Sequence, residues 1–378
     1  MKGPFRADHV GSFLRPPALM AARKDFADGK ATRDELTAVE DEHIRTIVAM
    51  QENAGIQAVT DGDFRRTSWS GDFLAAIEGV ELETIVSPSA TTGYTDTPKG
   101  GKVENWMPPS APRTVSKLKL PAGGIQHKSF AFLNKTTSRT AKVTVPSPSM
   151  LHFRGGRDGV DQDAYPEMDA FFDDVAEVWR DEVADLAALG CTYFQMDDTN
   201  MAYLCDPDFR ERVKGLGEDP DDLPHRYAQL INDAIKDRPD DMAATVHLCR
   251  GNSFSRGHAE GGYEPVVEIM FNEFKIDGFF LEYDDARSGD FSPLRFVPKG
   301  PKIVLGVVTS KFGELESKDD IKRRIDEACK YMPLEQMCLS PQCGFASHTG
   351  GNLLSEDEQA AKLAFIVEMA EEIWGTAQ

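Results

Sequence analysis

The sequence is poor in basic residues: 42 Lys and Arg stand against 63 Asp and Glu, a formal net charge of −21 over 378 residues. Binding to nucleic acid requires a concentrated basic surface, so this composition excludes that class of function. The sequence also lacks any run near the roughly 18 apolar residues that cross a membrane, and its first residues contain no apolar stretch of signal-peptide length. We therefore expect a cytoplasmic protein with no nucleic-acid or membrane partner.

Cysteine is scarce as well, with six residues in the chain. Without a secretory signal, so few cysteines in a long chain predict reduced thiols rather than a disulfide framework. A glycine-rich phosphate-binding turn is missing after the first apolar run, which argues against an open, doubly wound nucleotide-binding sheet. The cysteines are Cys191, Cys205, Cys249, Cys329, Cys338 and Cys343.

Eight short apolar runs, rich in β-branched and aromatic residues, are separated by longer segments with the spacing of amphipathic helices. Runs of this length and composition favour buried strands. An alternation of eight strands with helices is typical of a (β/α)8 TIM barrel, and we predict this α/β fold. The runs cover residues 5–12, 57–64, 141–148, 191–198, 244–249, 278–285, 302–308 and 336–344.

We expect the barrel to occupy residues 1–378 as a single catalytic domain. One stretch interrupts the alternation: residues 80–140 are rich in Gly, Pro, Thr and Lys and then contain the strand-like segment "GGIQHKSFAFL" at 123–133. A structureless loop of this length is uncommon inside a compact domain. The stretch therefore predicts a hairpin-like insertion between strands 2 and 3, lying over the mouth of the barrel.

The polar residues that end the eight runs are unusually rich in groups that bind metals. In a barrel of this type the catalytic groups lie at the carboxyl ends of the strands, so these residues are the candidates for a functional site. They are His9, Gly11, Ser12, Asp61, Asp63, Ser147, Asp197, Asp198, His247, Cys249, Glu282, Thr309, Lys311 and Cys343.

A metal site is the strongest candidate among them. His247 and Cys249 are two positions apart on a predicted strand, so both side chains point to the same side. An isolated pair of this kind is more often a histidine and a small hydrophobe in a core strand. Closure of the barrel, however, brings Glu282 and Cys343 to the same end. Two thiolates, an imidazole and a carboxylate form a set that suits zinc, which activates thiols for alkyl transfer.

Six motifs together resemble the cobalamin-independent methionine synthase family, in particular its short proteins that correspond to the C-terminal catalytic barrel. They are "RADHVGSFLRP", "VTDGDFRR", "QMDD", "HLC", "FFLEYDD" and "LSPQCGF", and the resemblance runs from about residue 5 to residue 375. It implies a methyltransferase that converts homocysteine to methionine, with zinc (Zn2+) activating the thiol. It also implies the zinc ligands His247, Cys249, Glu282 and Cys343.

The resemblance assigns the substrate as well. Gly11 and Ser12 match the segment that holds the amino-acid carboxylate, while Asp63 and Asp197 match acidic positions that bind the ammonium group. Paired acids suit an ammonium group and backbone N–H groups suit a carboxylate. The simpler alternatives are that Gly11 and Ser12 form only a turn, and that either Asp is a helix cap or a salt-bridge partner.

Two departures from the family pattern concern the methyl donor. Pro148 stands where the long synthases have a tryptophan that stacks on folate. "VTSKFG", with Thr309 and Lys311, stands where they have an Asp-x-His whose histidine donates a proton. Lys311 is the candidate replacement, and we count it with Asp197 as catalytic, although a surface lysine is the simpler interpretation. The donor is methylfolate, a methylated corrinoid protein or another small methyl donor.

Two other functions stay open. One is alkyl transfer to a different thiol, as in the epoxyalkane:coenzyme M transferases; the other is a metal-binding accessory protein without turnover. A sulfonate thiol calls for basic residues where Asp63 and Asp197 stand, which favours homocysteine. Arg15 and Arg250 are candidates either for neutralising a substrate carboxylate or for structural ion pairs. Other histidines in the predicted loops, His258 and His348, rank lower.

Overall fold

Twelve strands and eleven α-helices lie within the residues that the computed structural model describes, which are 3–84, 94–96, 102–104, 110–252 and 254–378. The strands are β1 (Ala58–Val59), β2 (Glu78–Thr84), β3 (Tyr94–Asp96), β4 (Lys102–Glu104), β5 (Ser110–Lys119), β6 (Thr140–Ala141), β7 (Val143–Pro146), β8 (Tyr193–Asp198), β9 (Ala243–Leu248), β10 (Gly278–Glu282), β11 (Lys302–Val308) and β12 (Met337–Pro341). The helices are α1 (Pro17–Ala27), α2 (Arg33–Asn53), α3 (Gly71–Ala76), α4 (His127–Thr136), α5 (Met168–Ala188), α6 (Asn200–Tyr203), α7 (Pro207–Gly215), α8 (Leu223–Ile235), α9 (Val267–Glu273), α10 (Lys318–Ala328) and α11 (Glu356–Trp374).

Six strands form a parallel sheet in which each strand pairs with the next along the chain, from β7 to β12. Helices occupy most of the connections between them, because parallel neighbours require crossover connections. Strands β8, β9, β10 and β12 are buried along their whole length, as expected of a parallel sheet covered on both faces. The predicted α/β fold class is confirmed.

Both ends of this sheet continue into shorter segments. β1 pairs in parallel with β6, and only Lys142 separates β6 from β7. At the other end, Ala7 forms a parallel bridge with Leu339 of β12, and the Asp8 N–H donates to the Leu339 carbonyl at 3.0 Å. The predicted first strand at 5–12 is therefore reduced to a single bridge in the part of the chain that the structure describes.

The N-terminal segment and β1 contact each other mainly through side chains. The His9 Nε2 group donates to the Ala58 carbonyl at 2.8 Å, and the Thr60 hydroxyl donates to the Gly11 carbonyl at 2.6 Å. No strand ladder joins the two among the described residues. Closure of the sheet into an eight-stranded ring stays a prediction.

Helix boundaries follow from local sequence signals. Thr32 and Glu35 form a capping box at the start of α2, and Ser355 and Glu358 form one at the start of α11. Each pair satisfies two backbone N–H groups that have no partner inside the helix. Within the ranges that the structure describes, no helix is long and apolar enough to cross a membrane.

The stretch at 80–140 contains one prediction that is wrong. Residues 123–133, predicted as strand-like, enter helix α4, which buries Phe130 and Leu133 with 2% of each residue exposed. The aromatic content favoured a strand, but the three-residue spacing of the buried side chains is that of a helix face. β2 and β5 pair as antiparallel neighbours. Because much of 85–109 lies outside the described residues, the insertion over the barrel mouth stays a prediction.

A buried polar cluster lies where the N-terminal segment meets residue 142; we call it the Asp8–Lys142 cluster. The Lys142 Nζ group donates to Asp8 Oδ1 at 3.0 Å and to the His9 carbonyl at 2.6 Å, with neither side chain of the ion pair exposed. The Tyr193 hydroxyl donates to Asp8 Oδ2 at 2.7 Å. In this cluster the buried charges of Asp8 and Lys142 are paired, and their polar atoms form hydrogen bonds.

Candidate metal centre

β9 carries two of the predicted metal ligands at its carboxyl end. Its neighbours β8 and β10 place Asp197 and Phe280 opposite His247 in the parallel register. His247 is 1% exposed, and Cys249 follows one residue after the strand ends. Alternation along the strand directs both side chains to the same side, as the sequence predicts.

Two further strands bring the remaining predicted ligands to the same point. Glu282 is the last residue of β10, and Cys343 lies two residues beyond β12. One donor atom from each of the four residues lies within 4.8 Å of every other, and all four residues are buried. We refer to His247, Cys249, Glu282 and Cys343 as the quartet.

The quartet contains buried polar atoms that have no partner. Both ring nitrogens of His247 and the Oε2 atom of Glu282 lack a hydrogen-bond partner among the described residues. Buried polar groups are nearly always hydrogen-bonded, so three such atoms at one point require another occupant. One imidazole, two thiols and one carboxylate at these separations fit a four-coordinate zinc ion, which takes nitrogen, sulfur and oxygen ligands.

The electrostatics of the quartet shift the acidity of its members in opposite directions. The Cys249 thiol donates to Cys343 Sγ at 3.5 Å; this contact lowers the pKa of Cys343 well below its ordinary value and raises that of Cys249. Burial and the charge of Cys343 raise the pKa of Glu282 to about 7. The two thiols of the quartet therefore differ in acidity, and Cys343 is the more readily ionised of the two.

The two acids predicted to bind an ammonium group lie close to the quartet in different environments. Asp197 accepts a hydrogen bond from Gln195 Nε2 at 2.7 Å, and burial raises its pKa to about 7. Asp63 has a positive φ of 63° and pairs with the buried Arg66, which also donates to the Thr144 hydroxyl at 2.8 Å. Asp63 therefore has a salt-bridge partner, which the sequence analysis had named as the alternative interpretation.

The predicted carboxylate-binding segment packs against the loop that carries Cys343. The Ser12 carbonyl accepts a hydrogen bond from the Phe345 N–H at 2.9 Å, and the Ser12 hydroxyl accepts from the Ala346 N–H at 3.3 Å. Gly11 has a φ of 137°, and a Cβ atom there would lie 2.9 Å from the Thr144 side chain. Only glycine suits this position, which brings the segment into contact with the site.

Lys311 is not the surface residue that the simpler interpretation expected. It is 5% exposed, and its Nζ group donates to Asp284 Oδ2 at 2.6 Å. Thr309 donates to the same oxygen at 3.1 Å. Asp284 follows Glu282 by two residues, so the buried ion pair lies beside the quartet. The surface-lysine interpretation is wrong because this buried carboxylate holds the ammonium group inside.

Arg15 forms bonds to backbone carbonyls and no ion pair among the described residues, while its predicted contact with a substrate carboxylate stays a prediction. It is buried, and its two Nη groups donate to the backbone carbonyls of Ala346, His348, Asp63 and Arg66 at 3.0 to 3.2 Å. It therefore ties together the loops that follow β1 and β12. Sequence analysis missed Arg66 and Asp284, although each is visible in a quoted motif, in "VTDGDFRR" and "FFLEYDD".

Comparison with known proteins agrees with this architecture. Residues 5–212 match the family model described as cobalamin-independent synthase, catalytic domain. The quartet lies beyond the matched range. The protein YxjH of Bacillus subtilis, whose description is "uncharacterized", is 42% identical over 379 aligned residues that cover 99% of this chain and 96% of YxjH.

Relatives with a stated activity are more distant, and two solved structures are similar along the whole chain. The methionine synthase of Pyrococcus abyssi is 22% identical, covering 89% of this chain and 84% of its own. A crystal structure of the putative vitamin-B12 independent methionine synthase from Listeria monocytogenes superposes with a TM-score of 0.78 at 36% identity, covering 99% of both chains. A B12-independent methionine synthase from Shewanella sp. W3-18-1, in complex with selenomethionine, shares the fold with a TM-score of 0.69 at 18% identity over 98% of both chains.

Proposed function

The chain belongs to the cobalamin-independent methionine synthase family, and from this premise we propose that it is a zinc-dependent methyltransferase that methylates the thiol of homocysteine to give methionine. The observation that carries the proposal is the quartet, where the ring nitrogens of His247 and one oxygen of Glu282 are buried without partners. Zinc bound there would supply the Lewis acidity that keeps a substrate thiol ionised near neutral pH.

The chain's own residues bind and orient the amino acid. Gly11 and Ser12 hold the carboxylate, because their segment packs against the loop of Cys343. Asp197 holds the ammonium group as an ionised carboxylate, and Asp63 contributes a second acid in the position that Arg66 fixes. A substrate held at both groups presents its thiol towards the quartet, which lies opposite Asp197 across the β8–β9 register.

Lys311 is the proposed proton donor. Methyl transfer leaves an electron pair on the donor molecule, and an amine leaving group departs far more readily once it is protonated. The ion pair with Asp284 holds the Lys311 ammonium group in a buried position beside the quartet. Methylfolate and a methylated corrinoid protein are the two donors we propose to test first.

Three features of the fold are included in the proposal. The strands close into a (β/α)8 barrel, residues 1–378 form one catalytic domain, and residues 80–140 form an insertion between strands 2 and 3. The pairing of β1 with β6, the six-stranded sheet from β7 to β12 and the bridge at Ala7 support closure. The antiparallel pair of β2 and β5 supports the insertion.

The other two functions are less well supported. A sulfonate thiol, the substrate of the coenzyme M alternative, would face the buried carboxyls of Asp63 and Asp197 and be repelled once they ionise. A metal-binding accessory protein has no need of a buried ion pair such as Lys311–Asp284 beside its metal. Neither alternative accounts for both features.

The test supplies zinc-loaded protein with homocysteine and, in separate reactions, with methylfolate, methylcobalamin and S-methyl donors, and measures methionine. We expect methionine from at least one donor and none after His247→Ala. Protein that binds no zinc would contradict every metal-dependent function. Zinc and homocysteine binding without methionine from any donor would favour the accessory role.

A further inference from the structure

Arg250 is a buried cation whose charge no hydrogen bond satisfies. It follows Cys249, is 1% exposed, and none of its three guanidinium nitrogens has a hydrogen-bond acceptor among the described residues. The group lies on the ring of Tyr263, 4.3 Å from the ring centroid. Burying a cation is strongly unfavourable, and a cation–π contact offsets only part of this cost. No ion pair of Arg250 lies among the described residues, and its alternative role of neutralising a substrate carboxylate stays a prediction.

Arg15 is also buried, and its contacts show what a structural arginine looks like in this protein. Both Nη groups of Arg15 donate to backbone carbonyls, which makes it a brace between loops. Arg250 braces nothing through its guanidinium. Its position must have another explanation.

The surroundings of Arg250 connect it to the quartet. Its backbone N–H donates to Glu282 Oε1 at 2.9 Å. The Tyr263 hydroxyl accepts from the Glu282 N–H at 2.9 Å and lies 3.3 Å from the Glu282 carbonyl. Arg250, Tyr263 and Glu282 therefore form one packed unit that includes one member of the quartet.

A charge count explains why a cation belongs there. Two thiolates and one carboxylate around a divalent ion carry a net charge of −1, and a substrate thiolate makes it −2. We propose that Arg250 is a positioning residue that supplies the fixed positive charge which balances this anionic centre and thereby sets its affinity for the substrate thiolate. The inference rests on the proposed zinc-dependent function.

This role predicts an effect on binding rather than on turnover. Methylation converts the thiolate to a neutral thioether, so the negative charge falls as the reaction proceeds. A fixed cation stabilises the bound thiolate more than the product. Removing it should raise the Kd and KM for homocysteine, on the order of tenfold for a charge of this kind at an effective dielectric constant of about 20, without lowering kcat.

The test measures the Kd of homocysteine and of methionine by calorimetry on zinc-loaded wild type, Arg250→Met, Arg250→Gln and Arg250→Lys. Methionine is the matched ligand without a thiolate. We expect the Met and Gln variants to lose roughly tenfold in homocysteine affinity and less than about threefold in methionine affinity. The Lys variant should stay within about threefold of wild type for both ligands, because it keeps the charge.

Arg6→Met is the control, because it removes another arginine that lies on an aromatic ring, that of Trp374, in contact with β12. Equal losses for both ligands, or a Lys variant no better than the Gln variant, would show that Arg250 only packs and would overturn the proposal. If the wild type binds homocysteine and the Met and Gln variants bind it equally well, the proposal is also overturned. Wild-type protein that binds neither zinc nor homocysteine would instead overturn the proposed function itself.

Discussion

Two buried polar clusters in this molecule look alike in the sequence and differ in the structure. His9 and His247 each end a predicted strand, and each lies near a buried acid. In the Asp8–Lys142 cluster, the imidazole of His9 donates to a backbone carbonyl, and the ion pair is complete. In the quartet, the imidazole of His247 has no hydrogen-bond partner among the described residues.

The difference separates a structural cluster from a binding site. Satisfied buried groups stabilise the fold and need nothing further, whereas unsatisfied ones are tolerated where a ligand completes them. Removing a group from the first cluster should therefore reduce stability and spare zinc binding. Removing a group from the quartet should do the reverse.

The largest expected effect is the loss of metal from the quartet. His247→Ala and Cys249→Ala should each reduce bound zinc from about one ion per chain to near zero and abolish methionine formation, because each residue supplies one of the four donor atoms proposed to hold the ion. Unfolding of metal-free protein should change little, since neither ring nitrogen of His247 forms a hydrogen bond. Elemental analysis and urea unfolding measure the two quantities. If His247→Ala or Cys249→Ala retained zinc, the quartet would no longer differ from the Asp8–Lys142 cluster as a binding site.

The next effect belongs to the satisfied cluster. Lys142→Met leaves the Asp8 carboxylate buried without its cation, which should lower the free energy of unfolding by about 3 to 5 kcal/mol. Zinc content per folded chain should stay at the wild-type value. A loss below about 1 kcal/mol in urea unfolding would show that the Asp8–Lys142 pair is not the structural counterpart of the quartet.

The sequence predicts much of this distinction, but it does not show how many of the buried polar atoms form hydrogen bonds. The spacing of His247 and Cys249, and the positions of Glu282 and Cys343 after later apolar runs, indicated that the four would meet at one end of a parallel sheet. Periodicity cannot show which polar atoms find partners. His9 and His247 both stood among the strand-end candidates, and only the structure shows that the first donates to the Ala58 carbonyl.

Other failures have the same physical origin. The sequence favours a surface position for Lys311, because lysine is rarely buried. Its burial is explained by the tertiary ion pair with Asp284, which the sequence does not reveal. In the sequence, Arg250 is one cation among many acidic residues, which favours an ion pair, yet in the structure it lies on the ring of Tyr263. The strand predicted at 123–133 failed because burial of Phe130 and Leu133 outweighed the strand preference of aromatic residues.

A smaller effect is expected for the Lys311–Asp284 ion pair. This pair is complete, as in the Asp8–Lys142 cluster, but it lies beside the quartet. Lys311→Met should lower methionine formation by about 100-fold through loss of the proton donor, with zinc content unchanged. Lys311→Arg keeps the charge and the ion pair but is too weak an acid to replace the donor, so it serves as the matched control and should be nearly as slow. Full activity in both variants would assign Lys311 to structure alone.

The smallest effect concerns Asp197, which is buried like Asp8, accepts a hydrogen bond at its carboxyl from Gln195 and faces His247 across the β8–β9 register. Burial raises its pKa to about 7, above the value in the unfolded chain. Between about pH 4 and pH 7 the folded protein therefore holds a proton that the unfolded chain has lost, so this group lowers the free energy of unfolding as pH rises through that window.

Asp197→Asn removes this dependence, and its comparison with wild type isolates the group. From pH 4 to pH 8 the wild type should lose about 2 to 4 kcal/mol of unfolding free energy relative to the variant, as a shift of about three pKa units implies. Methionine binding should strengthen in the wild type as pH rises through 7, because the ammonium group needs the ionised carboxylate, and stay weak and flat in the variant. Parallel pH profiles for the two proteins would mean that Asp197 is structural, as Asp8 is, and would move the boundary of the binding site away from β8.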